Sequence, residues 1–408
     1  MRRRSSALPD GIPGTIHVTV GANPCALLVA SIAQPCPARR AARAAYACLG
    51  RELVRHGLSI VQERVLGSVD SAAGVLAERA VALRAAGVDS DGPCTFVEGR
   101  PLWGRGWAGA ILLAVRTADA GGVPRVLHDG GVPCGRTWRL KGARFVALQG
   151  IGSRPDAAAA PQGVQAERAI RTAARLLRRQ GLRFADVLRT WFYLRRILSW
   201  YGEFNAGRRG VFRRLGLLHA DGAAVCRLPA STGISGRTRG RAACSLDLLA
   251  AAPAPRSGMR VEERRSPVQP RPLGYGSAFS RAATVSGGNW SLLEISGTAA
   301  VDASGRSAHP GDAPAQVGAA LDAVRGLLDD ARGGREHFGA ATVFVKRPAD
   351  AASCRAALES HGSGARRWPA VWVQADVCRP ELLFEVDGEA LSSSKAGSRD
   401  RRGRRDAR

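Results

Sequence analysis

The sequence predicts an α+β protein made of three tandem ββαβαββ units. Three observations predict it. First, the order amphipathic helix, strand, second helix, two strands recurs along the chain. Second, the middle and last copies hold phase through a whole helix: Gln165 and Gln316 stand 151 residues apart, as do Leu177 and Leu328. Third, a hairpin pattern precedes each copy, over 15–32, 137–150 and 280–301. Such an order lays two helices on one face of a mixed sheet.

The last copy is the clearest. Val317, Ala320, Leu321, Val324, Leu327 and Leu328 recur at the three- and four-residue spacing of one helical face. The pair Gly333-Gly334 reads as its stop. A strand over 341–346, a helix over 350–360 and strands over 370–377 and 382–386 follow. In the middle copy the helix carries Gln165, Ile170, Ala173, Ala174 and Leu177 and stops at Gly181. Its strand spans 187–193, its second helix 197–215, and its last strands 228–234 and 244–249. The first copy is fainter. Ala42, Ala45, Tyr46, Leu49 and Leu53 form the helical face, closed by Gly57; the strand is 60–66, the second helix 70–85, and the last strands 95–98 and 110–115. Segments 116–135 and 251–270, rich in Gly, Pro, Ala or charge, read as linkers. The expected units are therefore 14–117, 125–252 and 266–391, with the Arg-rich stretch 392–408 as a disordered basic tail.

Composition narrows the function. No apolar run approaches the roughly 18 residues of a membrane span. Met1-Arg-Arg-Arg leads into Pro9, Asp10 and Pro13 rather than an apolar stretch, so no secretory signal is read. The nine cysteines are odd in number and lack a CxxC pair, which points to reduced thiols in a cytoplasm. The net charge of +26 suggests nucleic acid at first sight. Yet only Lys141, Lys346 and Lys395 among the 60 basic residues are lysines, and arginine with abundant alanine is the mark of a GC-rich genome. The charges spread over helix faces and linkers, so no nucleic-acid partner is expected, although a basic field would help capture a small dianion. There is no HExxH, no GxxxxGK[ST] and no dinucleotide-binding GxGxxG, and the seven histidines are isolated. No metal or nucleotide cofactor is expected.

One carboxylate stands out. Glu385 sits in the apolar strand Leu382-Leu-Phe-Glu-Val386. A carboxylate on a core strand is costly unless it has a partner or a task. Tyr201 and Arg208, seven apart on a helix, share one face at two turns.

Several strings carry a family resemblance. Tyr275-Gly-Ser-Ala-Phe-Ser-Arg281, Ile295-Ser-Gly-Thr-Ala299, Gly311-Asp312 with Gln316, and Phe384-Glu385 together resemble one YjgF/RidA unit. The middle copy adds Arg189-Thr-Trp-Phe-Tyr-Leu194, Trp200-Tyr-Gly-Glu-Phe-Asn205 and Pro229-Ala-Ser-Thr-Gly-Ile234, and upstream stands Cys94-Thr-Phe-Val-Glu-Gly-Arg-Pro101. With these the chain resembles the chorismatases, which release pyruvate from chorismate, over roughly residues 14–390. His309-Pro-Gly-Asp312 and Phe338-Gly-Ala-Ala-Thr-Val343 are most similar to the branch that makes 3-hydroxybenzoate. Arg195 and Arg196 depart from that pattern, where relatives carry acids, and Gly362–Trp368 is longer than usual.

The resemblance implies a trimer-like assembly fused in one chain, hence a monomer. It implies Glu385 as the catalytic acid and Tyr201, Arg208, Tyr275 and Arg281 as substrate binders. It places Gly297 in a turn that lets substrate approach backbone donors, and Cys378 as a residue shaping the pocket. Asp247 is the expected counterpart of Glu385 in the middle copy. The implied product is 3-hydroxybenzoate, with 4-hydroxybenzoate as a companion. The alternatives are hydrolysis to a 3,4-dihydroxycyclohexadiene carboxylate, a RidA-like imine hydrolase, and a non-catalytic RNA-binding module, which the lack of aromatic–basic interleaving disfavours.

Overall fold

The computed structural model describes residues 2–153, 159–329, 337–362 and 368–393. The first unit holds β1 (Arg2–Ala7), β2 (Gly14–Val20), β3 (Cys25–Ile32), α1 (Ala38–Arg55), β4 (Leu58–Gly67), α2 (Ala72–Ala85), β5 (Thr95–Glu98), β6 (Arg100–Pro101) and β7 (Trp107–Arg116). The second holds β8 (Arg125–Asp129), β9 (Val132–Leu140), β10 (Ala143–Ile151), α3 (Gln162–Arg179), β11 (Val187–Leu194), α4 (Tyr201–Arg214), β12 (Ala230–Ser235) and β13 (Cys244–Pro253). The third holds β14 (Met259–Arg264), β15 (Ala282–Gly287), β16 (Trp290–Ala299), α5 (Ala313–Asp329), β17 (His337–Val345), α6 (Ala351–Ser360), β18 (Ala370–Gln374) and β19 (Phe384–Ser393).

The three sheets share one order: β1-β2-β3-β7-β4-β5, β8-β9-β10-β13-β11-β12 and β14-β15-β16-β19-β17-β18. In each, the last strand inserts at the centre, and the only parallel pair (β4/β5, β11/β12, β17/β18) is joined through a helix. β6 extends the third sheet by pairing with β18. The unit is thus mixed α+β, as expected, with one strand more than the sequence pattern gave. The extra strand β1 precedes the first expected unit, and β8 and β14 fall in the two expected linkers. They are outer strands, with β1 exposed throughout, and their polar residues suit a sheet edge. The final strand starts at Phe384 rather than Leu382 and runs through Ser392 and Ser393, which the sequence assigned to the tail. Gly333-Gly334, residues 363–367 and the tail from 394 lie outside the described residues.

The helices follow the predicted faces. Val317, Ala320, Leu321, Val324 and Leu327 of α5 and Ile170, Ala173, Ala174 and Leu177 of α3 are buried against their sheets. Burying each large aliphatic side chain is worth about 1.5–3 kcal/mol. α3 ends at Gly181 in the left-handed region (φ 75°), where Leu182 N–H returns to the Leu177 carbonyl (3.0 Å).

Each sheet has its own core beneath its helices. The opposite faces of all three sheets pack into one shared core, which includes Leu27 and Ile111, Trp138 and Trp191, and Val285 and Val371. Neighbouring sheets meet in a ring. The first joins the second where Glu98 N–H donates to the Arg237 carbonyl (2.8 Å). The second joins the third through Ser231 N–H to Ser296 Oγ (2.8 Å). The third joins the first where Asn23 Nδ2 donates to the carbonyls of Ser291 (2.8 Å) and Ser392 (2.9 Å).

Candidate active site

Glu385 is the second residue of β19, between Ala299 of β16 and Phe344 of β17. Alternation along a strand puts Phe384 and Val386 in the helix-side core and turns Glu385, Asp387 and Glu389 toward the shared centre. Glu385 is 4% exposed, and it has no ion pair among the described residues. Burial, followed by the charge of Asp387, raises its pKa to about 8, against the pull of Arg189 and Arg281. The carboxyl is therefore protonated at neutral pH.

A bulge in β16 between Ile295 and Thr298 brings Gly297 against this acid. A Cβ on Gly297 would lie 2.1 Å from Glu385 Oε1, so only glycine leaves room for the carboxyl. Gly297 N–H donates to Thr232 Oγ1 (2.9 Å), a residue of the second unit. The cleft thus lies between two units.

Two arginines frame it. Arg208, from α4, is 3% exposed; its Nη2 donates to Asn205 Oδ1 (2.7 Å), and its Nε has no partner among the described residues. Arg281, just before β15, is 4% exposed; it donates to the Pro270 carbonyl (3.2 and 3.1 Å) and is hydrogen-bonded to the Tyr275 side chain. Both guanidinium groups face Phe279, at 5.7 and 5.8 Å from the ring centre. Neither pairs with a carboxylate among the described residues, and burial lowers the pKa of each. Two dry cations without counter-ions are expensive, so the cleft favours an anion with two acidic groups.

The remaining expected residues converge here. Tyr201, at the start of α4, lies beside Cys378, Arg208 and Glu385, and burial raises its pKa. Tyr275 stands over Arg281 (5.7 Å) and near Cys378. Burial and the Glu385 charge push the Cys378 thiol up to about 12, so it is not a thiolate at neutral pH. Sequence reasoning missed Arg379, whose guanidinium covers the other side of Tyr275 (5.5 Å) and donates to the Gly305 carbonyl (2.9 Å). It also gave no role to Phe279, Thr232 and Arg189, although all three lie inside recognised strings.

One alignment changes. Gln165 Oε1 accepts Ala243 N–H, and Gln316 Oε1 accepts Leu383 N–H, both at 2.7 Å. Ala243 therefore matches Leu383, and Glu385 matches Ser245. Asp247, expected opposite Glu385, is the counterpart of Asp387. Strand pairing agrees: Ser245 faces Tyr193 in β11 as Glu385 faces Phe344 in β17. In the first unit Gly109 holds the place. Only the third unit presents a carboxyl there.

All nine cysteines are free. No helix among the described residues is long and apolar enough to cross a membrane. No family model and no curated protein matches the sequence. Among solved structures, the chain is similar to a chorismatase, at 20% identity over 81% of this chain and 92% of that one, with a TM-score of 0.55. The YjgF gene product from E. coli matches at 23% identity, covering 33% of this chain and 99% of its own, with a TM-score of 0.25. TdcF from E. coli with bound serine matches at 18% identity, with the same coverages and TM-score. The chain shares the fold of the chorismatase.

Proposed function

We propose that the protein is a chorismatase that releases pyruvate from chorismate, with its three units forming a fused trimer in a single cytoplasmic chain. The observation that carries this reading is a buried carboxyl without an ion pair, in one cleft with two buried arginines that lack acidic partners among the described residues. Chorismate is a dianion whose enol ether needs a proton to leave. Arg208 and Arg281 bind its two carboxylates, with Tyr201 and Tyr275 as hydroxyl donors. Glu385 protonates the enolpyruvyl methylene. Water adding to the oxocarbenium carbon gives a hemiketal that collapses to pyruvate and the ring diol. Alternatively the neighbouring ring hydroxyl attacks the ring carbon that bears the ether and returns its proton to Glu385. That C–O bond breaks, so that pyruvate leaves as its ketone, and the resulting epoxide isomerises to the hydroxybenzoate. The likeness of fold to a chorismatase and the quoted sequence strings support the same substrate.

The finer reading is formation of 3-hydroxybenzoate, with 4-hydroxybenzoate as a companion. It rests on Cys378, an uncharged thiol beside Glu385 and Tyr201 that narrows the pocket on the acid's side. The test is to incubate the protein with chorismate, follow pyruvate with lactate dehydrogenase and identify the ring product by chromatography. Pyruvate release with an aromatic product supports the full reading. A dihydroxycyclohexadiene product would move the protein to the hydrolytic branch, and absence of pyruvate would overturn the proposal.

A further inference from the structure

Asp387 lies two residues beyond Glu385 on the same face of β19 and is 1% exposed. Its Oδ2 accepts from the Thr232 hydroxyl (2.8 Å) and from Arg189 Nη2 (3.0 Å). Arg189 also donates to Thr232 Oγ1, the atom that accepts Gly297 N–H. A chain of hydrogen bonds therefore runs from Arg189 and Thr232 in the second unit, through Asp387, to the glycine that abuts the acid. Asp387 Oδ1 has no partner among the described residues. A like charge this near, in a dry core, opposes ionisation of Glu385.

We propose that Asp387 is a positioning residue: locked by Arg189 and Thr232 of the neighbouring unit, it sets a like charge beside Glu385 and holds the Gly297 bulge against it. The inference rests on the reading of Glu385 as the proton donor. Other groups face the same acid. Arg189 of β11 and Arg281 beside β15 favour its charged form, and Tyr201 of α4 and the Cys378 thiol lie next to it. Farther into the core, Arg64 of β4 pairs with Glu389, and Glu294 of β16 lies 3.8 Å from Arg189 Nε. Burial and Asp387 outweigh the two arginines that face Glu385 directly, which leaves the carboxyl protonated at neutral pH.

The neighbouring cleft contains a built-in control. There Asp247 Oδ1 accepts the Thr95 hydroxyl (2.8 Å) and Gly150 N–H (2.7 Å). Thr95 pairs with Arg64 across β4/β5 as Thr232 pairs with Trp191 across β11/β12, so Gln62 stands where Arg189 does. The same Asp, Thr and Gly are present, but here the glycine donates to the aspartate instead of the threonine, and Ser245 replaces the acid.

The experiment measures the pH dependence of pyruvate release from chorismate by the full chain and by Asp387→Asn and Asp247→Asn. Wild-type activity should fall on the alkaline side as Glu385 loses its proton. Asp387→Asn should move that limb about one pH unit or more toward acid, the size expected for losing a neighbouring like charge. Asp247→Asn should lower the melting temperature and leave the limb in place. A uniform loss at every pH in Asp387→Asn, with the limb unmoved, would overturn the proposal; so would an equal shift in Asp247→Asn. If Asp387→Asn does not fold, Asp387→Ser removes the charge while keeping a hydroxyl for Thr232 and Arg189, and the same shift is expected. Infrared titration of the protonated carboxyl band that disappears in Glu385→Gln reads the ionisation without turnover. If Glu385→Gln turns over normally, the proton-donor reading fails, while the infrared titration still decides whether Asp387 sets the ionisation of Glu385.

Discussion

The cleft between the second and third units and the cleft between the first and second are built on one backbone plan and differ in a few side chains. Both have a strand bulged at a glycine, Gly297 or Gly150. Gly297 N–H donates to Thr232 and Gly150 N–H to Asp247, and in each cleft a buried aspartate accepts the hydroxyl of a threonine from the preceding unit. One presents Glu385, the other Ser245. Arg281 precedes Ala282, which pairs with Ile295; Cys134 precedes Gly135, which pairs with Leu148 at the matching point before the bulge. Counting from the first residues of α4 and α2, and from the glycines that close them, Gly216 and Gly87, Arg208 corresponds to Arg79, whose guanidinium is tied to Glu63 (2.6 Å). The second cleft keeps a cavity of about 370 Å³ but has lost the acid and the counterpart of Arg281, and its remaining arginine is already paired with a carboxylate. In the third cleft even the Asp–Thr pair is gone, with Ile111 and Val371 at those places in the shared core. The chemistry thus lies in a handful of substitutions on a frame that folds equally well without them.

The largest expected effect falls on the acid. Glu385→Gln keeps size and hydrogen bonding, so the variant should fold and lose at least about a hundredfold in pyruvate release, within the range of general acid catalysis. Ser245→Ala, at the matching place, should leave the coupled assay unchanged; a loss there would mean the second cleft also works. Next come the cations. Arg208→Ala or Arg281→Ala should lower kcat/KM by about tenfold or more, since a hydrogen bond to a charged group is worth about 1.5–3 kcal/mol. Wild-type kinetics in either variant would remove that arginine from the site.

The two glycines sharpen the comparison. Gly297→Ala meets the Glu385 carboxyl at 2.1 Å, whereas a Cβ on Gly150 meets nothing closer than Ser153 Oγ at 3.3 Å but is strained by φ 66°. Gly297→Ala should therefore lose activity more than stability, and Gly150→Ala the reverse, as read by turnover beside thermal melting. The smallest effect is a slope. Glu385 and Glu294 at about 8 and Asp247 at about 6 all hold protons more tightly folded than unfolded. Their contribution to stability is complete below the ordinary carboxylate range and is lost as pH rises through the folded values, so it declines between about pH 4 and 8. Melting midpoints across that window should fall less steeply for Glu385→Gln than for the wild type.

Much of this was legible in the sequence, for physical reasons. Helical period locates α1, α3 and α5, and glycine stops close α1 and α3, because those faces are buried. The outer strands β1, β8 and β14 carry no such period; they are held by backbone pairing at an edge, which leaves no apolar mark. The seven expected site residues fall in one cleft; five of them lay in the quoted strings, and Arg208 and Cys378 stood outside them. Asp247 was set two places from its true register because a strand pattern looks alike when slid by two residues. The contact between Arg189 and Asp387 escaped notice because the two come from different units, and no local spacing records a contact between residues 198 apart in sequence.

The central position of β19 has a consequence for synthesis. This strand comes last in the order of described elements, yet it fills the middle of its sheet between β16 and β17. A ribosome extends the chain at about 5–20 residues per second, and domains fold as they emerge. The first two sheets can close while the third still has a gap where Glu385 belongs. A nascent chain then carries the arginines of the cleft but no acid, so catalytic competence is expected to arrive in one step, when the final strand threads into place.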